Sequence, residues 1–168
     1  PVINHGQSRL DSIELYPFKH IFQEGVHAVM TAHLNIPAYV GDKNVAATLS
    51  PMIIDSLLTK QLAFNGLIIT DALDMKGVSA FHKPGNIEVM ALKAGNDILL
   101  LPQDVPAAIR EIMRSINEGE LSAETIDEKC KKILTYKYLA GLYKSPKVDY
   151  KNLTNDLNNY NLQRINIL

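Results

Sequence analysis

Three times along the chain, a short apolar run is followed by a polar loop and then by a segment with a helical apolar stripe. The apolar runs predict strands at residues 28–33, 66–70 and 97–101. The second run is apolar on both faces, as expected of a parallel strand that is covered on both sides. This repetition predicts an α/β fold built from about three βα units with flanking helices.

Residues that favour helix ends delimit the intervening helices. Ser50 and Pro51 are suited to begin one helix, Gly95 to end the next, and Asp104 to cap the one that follows. The last helix begins at Ser122 and ends near Gly141. The predicted helices cover residues 11–23, 50–63, 87–94, 104–116 and 122–141.

Composition narrows the functional classes. Hydrophobic residues make up 46% of the 168 residues, which is enough for a substantial core. The 17 basic and 18 acidic residues give a formal net charge of -1, so no bulk field attracts nucleic acid or anionic lipid. The single cysteine, Cys130, permits no internal disulfide, and no apolar run approaches the ~20 residues of a membrane span. We therefore expect an uncharged or weakly charged partner, with no nucleic-acid or membrane role.

The candidate chemistry lies where the predicted strands end, because the carboxyl ends of parallel strands meet on one face. Asp71 directly follows the most apolar strand. From its position alone, this carboxylate either projects into a cleft or accepts backbone N–H groups in the following turn. Met30 and Met75 can contact a ligand or fill gaps in the core, and His33 can bind a ligand or serve as a hydrogen-bonded structural residue.

The segment 64–77, Phe-Asn-Gly-Leu-Ile-Ile-Thr-Asp-Ala-Leu-Asp-Met-Lys-Gly, resembles the signature of glycoside hydrolase family 3. In that signature, Gly-Phe-x-Gly precedes an apolar strand and Ser/Thr-Asp-x-Leu-x-Met follows it. Similar segments cover residues 15–18, 29–33, 48–51 and 91–100, so the resemblance runs from about residue 1 to 142. It is closest to the β-N-acetylglucosaminidase branch.

The resemblance implies that residues 1–143 are the C-terminal part of a (β/α)₈ TIM-type catalytic barrel, since a complete barrel needs ~250 residues. Residues 144–168, rich in Asn, Lys, Tyr and Asp, would form a tail or linker toward another domain. It also implies that Asp71 is the catalytic nucleophile and that Asp74 occupies a variable position. Met30, His33 and Met75 would contact the sugar, and no metal or cofactor is required.

The general acid/base of this branch is an Asp/His pair on a loop upstream of the segment that matches Pro1, and the chain shows no such pair. We therefore expect that the first half of the barrel, with this loop, is missing or is a separate piece. The expected activity is retaining exo-hydrolysis of terminal β-N-acetylglucosamine from cell-wall muropeptides or related glycans. The alternatives are a family 3 β-glucosidase or β-xylosidase, and a non-catalytic barrel segment. The sequence does not distinguish between a cytoplasmic and a periplasmic location in a bacterium.

Overall fold

A computed structural model describes residues 1–41, 44–80, 82–144 and 150–158. The chain divides into two compact units, Pro1–Tyr136 and Lys137–Leu168. The sheet and the helices packed on it belong to the first unit. In the second unit, the rings of Tyr138 and Tyr143 stack with their centroids 4.5 Å apart. The predicted domain boundary at residue 143 stays a prediction, and residues 145–149 and 159–168 of the predicted tail lie outside the described residues.

The sheet has two parallel strands, β1 (Ala28–Thr31) and β2 (Leu67–Thr70). Ala28 pairs with Leu67 and Thr31 pairs with Thr70, without a bulge. The parallel pairing of the first two predicted strands is therefore confirmed. β1 ends two residues earlier than predicted, and β2 begins one residue later and ends at Thr70 as predicted.

The third predicted strand, 97–101, is reduced to a single parallel bridge between Ile98 and Ile69. The N–H of Leu100 donates to the hydroxyl oxygen of Thr70 at 2.9 Å instead of to a strand carbonyl. Leu101 has a φ of 45°, in the left-handed region that a strand residue does not adopt. The direction and neighbour of this segment are as predicted, but it does not form a regular strand.

The structure has five longer helices in the described residues, and we number them α1 to α5. The predicted first helix, 11–23, is divided by a bend at Leu15, and Pro17 lies in the first turn of the second piece, where a missing N–H is tolerated. The longer helices are α1 (Tyr16–Gln23), α2 (Met52–Gln61, of π type), α3 (Asn86–Ala94), α4 (Val105–Asn117) and α5 (Ala123–Leu139). The shorter segments are Gln7–Arg9, Leu10–Glu14, Pro37–Val40, Ala47–Leu49, Lys76–Ser79, Leu142–Lys144 and Leu153–Leu157.

The predicted helix ends are mostly confirmed by their hydrogen bonds. The Asp104 carboxylate accepts from the N–H of Ala107 at 2.9 Å, and the Ser122 hydroxyl accepts from Thr125 at 3.1 Å. Gly95 ends α3 with a φ of 121°. At α2, the predicted Ser50 cap is wrong: the residue before the helix is Pro51, and no side chain caps the helix. Ser50 contributes its backbone carbonyl instead, which accepts from the N–H groups of residues 53 and 54 at 3.0 and 2.9 Å.

The two faces of the sheet have different environments. Ile68, on one face, is 2% exposed and packs in a cluster with Ile54 and Ala94. On the other face, Ala28 is exposed and Met30 is 55% exposed. The helices of the first unit therefore cover one face of the strands and leave much of the opposite face open. None of the helices that the structure describes is both long and apolar enough to cross a membrane.

Candidate active site

Asp71 lies at the carboxyl end of β2, one residue beyond the strand. Its backbone N–H donates to the carbonyl of Thr31 at 2.9 Å and so continues the hydrogen bonding between β1 and β2. Because side chains alternate along a strand, Asp71 is on the same face of the sheet as Ile69, whereas Thr70 is on the other, buried face. The carboxylate is partly exposed on the face of the sheet that the helices leave open.

The first turn after β2 is held tightly around this carboxylate. The N–H of Ala72 donates to Asp71 Oδ1 at 2.8 Å. The N–H of Leu73 donates to the carbonyl of Leu100 at 2.9 Å, and the N–H of Met75 donates to the carbonyl of Ala72 at 3.2 Å. Asp71 therefore both accepts a turn N–H and remains partly accessible, so the two interpretations of its sequence position are compatible.

His33 lies two residues beyond β1 and is 8% exposed. Its Nε2 is 2.9 Å from the carbonyl oxygen of Ala72, and its Nδ1 is 3.0 Å from the hydroxyl oxygen of Thr48. Both ring nitrogens therefore have partners within the chain. The structure brings His33 to the residue that follows Asp71, but it leaves neither ring nitrogen free.

A buried polar network extends from His33 beneath the sheet. Thr48 and Asn96 are both 0% exposed, and the amide nitrogen of Asn96 donates to the carbonyl of Thr48 at 2.8 Å. Thr31 Oγ1 lies 3.3 Å from Thr48 Oγ1 and 3.1 Å from Asn96 Oδ1. The sequence predicts no role for Thr48 or Asn96. Both lie in segments that resemble the family signature, but nothing in those segments indicates that the two residues meet beside Thr31.

Met30 and Met75, the other two predicted sugar contacts, are 55% and 45% exposed. Met30 pairs with Ile69 across the sheet and so lies on the same face as Asp71. Met75 follows Asp71 by four residues, at the start of the short helix Lys76–Ser79. Neither side chain fills a gap in the core of the described residues.

A cavity of about 220 Å³ lies beside the turn after β2, and its lining includes His33, Asn35, Val78 and His82. Asp71 does not line this cavity. Within the described part of the chain, no cluster of three His, Cys, Asp or Glu side chains has the arrangement of a metal site. Asp74, the second carboxylate of the turn, is exposed.

Comparison with known families connects this geometry to a defined group of proteins. The family model described as "Glycosyl hydrolase family 3 N terminal domain" matches residues 1–136 of the chain. The chain belongs to glycoside hydrolase family 3. The match includes both strands, His33 and the turn that carries Asp71, and it confirms the resemblance seen in the sequence.

Two curated relatives indicate the range of named activities within this family. The β-hexosaminidase A of Pseudoalteromonas piscicida is 34% identical over 112 residues, which cover 61% of this chain and 19% of the relative. A protein of Cellulomonas fimi named β-N-acetylglucosaminidase/β-glucosidase is 27% identical over 128 residues, covering 71% of this chain and 23% of the relative. The chain thus spans only about a fifth of the length of these relatives.

Among solved structures, the family 3 β-N-acetylglucosaminidase from Paenibacillus sp. str. FPU-7 superimposes with a TM-score of 0.84 at 33% sequence identity. The match covers 90% of this chain and 29% of that protein. The α/β arrangement described above is therefore shared with a family 3 glycosidase along nearly the whole chain.

Proposed function

We propose that Asp71 is the nucleophile of a retaining glycosidase that removes terminal β-N-acetylglucosamine from glycans such as cell-wall muropeptides. The observation that carries the proposal is the position of Asp71 at the carboxyl end of β2, held by Thr31 and Ala72 and partly exposed. Membership of family 3 and the names of the hexosaminidase relatives support it.

The proposed reaction has two steps at the anomeric carbon. The Asp71 carboxylate attacks this carbon while a general acid protonates the departing oxygen, and a covalent glycosyl–Asp71 ester forms. The same group then acts as a base and removes a proton from water, which attacks the anomeric carbon, displaces the Asp71 carboxylate and releases the sugar with its original configuration. No metal or cofactor enters this sequence.

We propose that residues 1–143 act as the C-terminal part of a (β/α)₈ barrel, with the general acid and most polar sugar ligands contributed from outside residues 1–168. The open face of the sheet, where Met30 is exposed, supports this arrangement, because the inner face of a barrel strand is normally covered by the other strands. Residues 144–168 would then lead toward a further domain.

Met30 and Met75 are the proposed apolar contacts of the sugar ring. Both are about half exposed, and each is close in the fold or the chain to Asp71. His33, the third predicted contact, has both ring nitrogens engaged. A sugar hydroxyl could bind one of these nitrogens only if an existing hydrogen bond were broken.

A family 3 β-glucosidase or β-xylosidase is the second candidate function. The Cellulomonas fimi relative supports it in part, since its name includes both N-acetylglucosaminidase and β-glucosidase activity. Comparing aryl N-acetylglucosaminide with aryl glucoside and aryl xyloside as substrates of the intact protein separates the two. The non-catalytic alternative concerns residues 1–168 alone and predicts that this segment hydrolyses none of the three substrates.

The direct test of the nucleophile compares Asp71→Asn with Asp74→Asn in the intact protein. We expect the first to lower kcat on an aryl N-acetylglucosaminide by roughly 10³-fold or more, and the second to have little effect. Azide should restore cleavage to Asp71→Gly by attacking the anomeric carbon in place of the carboxylate, giving the glycosyl azide of inverted configuration. Equal losses from Asn at positions 71 and 74 would contradict the assignment.

A further inference from the structure

We infer that His33 is a positioning residue that fixes the residue after the nucleophile, and that it acts through the Ala72 carbonyl and not by contact with the sugar. This inference rests on the proposed role of Asp71. The two nitrogens of the imidazole ring bind residues that are distant in the chain, since Ala72 is 39 residues from His33 and Thr48 is 15 residues from it.

The partners determine which ring nitrogen carries the proton of the neutral ring. The Ala72 carbonyl can only accept, so Nε2 must be the donor in the 2.9 Å hydrogen bond. In the neutral ring, Nδ1 is then an acceptor, and the Thr48 hydroxyl donates to it at 3.0 Å. The Ala72 carbonyl thereby selects the tautomer, and the Thr48 hydroxyl, which can donate or accept, completes the hydrogen bonding of the ring.

The orientation of Thr48 is in turn fixed by the network beneath it. The Asn96 amide nitrogen lies 2.8 Å from two carbonyl oxygens, those of Thr48 and Ala91, so its identity as the donor is clear. The amide oxygen of Asn96 therefore faces Thr31 Oγ1, 3.1 Å away, and the backbone oxygen of Ile69 lies 3.3 Å from the same hydroxyl. Both oxygens can only accept, so Thr31 donates to one of them, while the proton of Thr48 goes to Nδ1 of His33, which has none in this tautomer.

Ala72 connects these hydrogen bonds to the nucleophile through its carbonyl and its N–H. It accepts from His33 and from the N–H of Met75, so both of its lone pairs are used. The N–H of the same residue donates to Asp71 Oδ1. Loss of the His33 bond would free one end of this residue and broaden the range of positions that the Asp71 carboxylate can adopt.

The kinetic test uses four variants of the intact protein. His33→Ala should lower kcat on the order of 10²-fold with little change in KM, because a misplaced nucleophile reacts slowly even when substrate binds normally. Thr48→Val should lower kcat about tenfold or more in the same way. Since Thr48 is 0% exposed, it cannot contact the sugar. His33→Gln, which offers an amide N–H to Ala72, and Thr48→Ser, which keeps the hydroxyl, should each recover most of the activity.

A structural readout separates positioning from loss of folding and from failure of the functional proposal. ¹⁵N spectra of the intact protein should show His33 Nε2 protonated and Nδ1 bare, and Thr48→Val should disturb this pattern. Thermal unfolding must show that each variant is folded at the assay temperature, with His20→Ala, an exposed histidine, as the control. If Asp71→Asn stays active, the proposed function fails, whereas the tautomer result is unaffected.

Two outcomes would overturn the inference. In the first, His33→Ala raises KM strongly without changing kcat, and Thr48→Val has the kinetics of the wild type. This result would make His33 a sugar ligand. The second is a spectrum in which Nδ1 carries the proton and Nε2 does not, because the ring could then not donate to Ala72.

Discussion

The carboxylate of Asp97 lies 2.7 Å from Lys132 Nζ and also accepts the N–H of Ile68 at 2.9 Å. Asp97 is 9% exposed, so this pair joins α5 to the start of β2 in a largely buried setting. Lys129 is 3.6 Å from the other carboxylate oxygen and donates to the carbonyl of Gly95 at 3.0 Å. This cluster lies at the opposite end of β2 from Asp71.

Asp97→Ala is expected to lower the free energy of unfolding by roughly 3 kcal/mol, because it leaves the N–H of Ile68 and Lys132 without this acceptor and the partly buried Lys129 without its counter-charge. Chemical denaturation measures this loss. The matched control is Asp55→Ala, whose carboxylate pairs with Lys60 at 2.6 Å on the surface and should cost no more than about 1 kcal/mol. Equal losses from the two substitutions would show that burial does not strengthen the Asp97 cluster.

Lys129 should give this cluster a pH dependence. Burial lowers the pKa of Lys129, while the nearby Asp97 opposes the shift. The folded protein therefore releases this proton at a lower pH than the unfolded chain, and the contribution of Lys129 to stability rises between the lowered pKa and the model-peptide value of 10.5. Below that window the contribution is constant and at its least favourable.

The measurement is the free energy of unfolding of the wild type and Lys129→Met across the alkaline range. As pH rises through the window, the free energy of unfolding of the wild type should increase relative to that of Lys129→Met. Use of the difference removes the titration of other groups. A difference that is independent of pH, or that moves toward the variant, would be inconsistent with a lowered pKa.

Gly66, the residue before β2, should not tolerate a side chain. A Cβ atom there would lie 2.6 Å from the carbonyl oxygen of His27 and 2.5 Å from the ring of Phe64. Because the backbone of His27 accepts from Leu67, it cannot move away without disturbing the strand pairing. Gly66→Ala should therefore destabilise the protein by roughly 2 kcal/mol. Gly6→Ala, where a Cβ would meet no atom within 4 Å, should be neutral to within about 0.5 kcal/mol.

Residues 1–168 expressed alone should show no measurable turnover of an aryl N-acetylglucosaminide. Both hydrogen bonds described at Asp71 involve backbone partners, so neither partner is a side chain that could act as the general acid. Protonation of the leaving group by a general acid is worth roughly 10² to 10⁴ in rate. The assay compares this segment with the intact protein on the same substrate. Turnover comparable to that of the intact protein would place the acid within these residues, and His33 and His82 would be the first candidates to replace.

Much of the fold could be predicted because it depends on local patterns. The apolar runs identified β1, β2 and their parallel pairing, and capping residues such as Asp104 identified the helix ends. The third strand was overestimated, since its apolar run cannot show that the Thr70 hydroxyl replaces a backbone acceptor. Similarly, the sequence presented His33 as a potential ligand. Its partners Thr48 and Ala72 are distant in the chain, so only the folded structure shows that both nitrogens are engaged.

The hydrogen bonds around Asp71 separate the parts of the chain that are constrained from those that are free to diverge. Thr31 and Leu100 hold Asp71 and its turn through their backbone carbonyls, and His33 holds the turn through its imidazole ring. Among the described residues, none of these three contacts uses a side chain of residues 34–41 or 44–46. Those stretches can therefore diverge in sequence while the position of the Asp71 carboxylate stays the same.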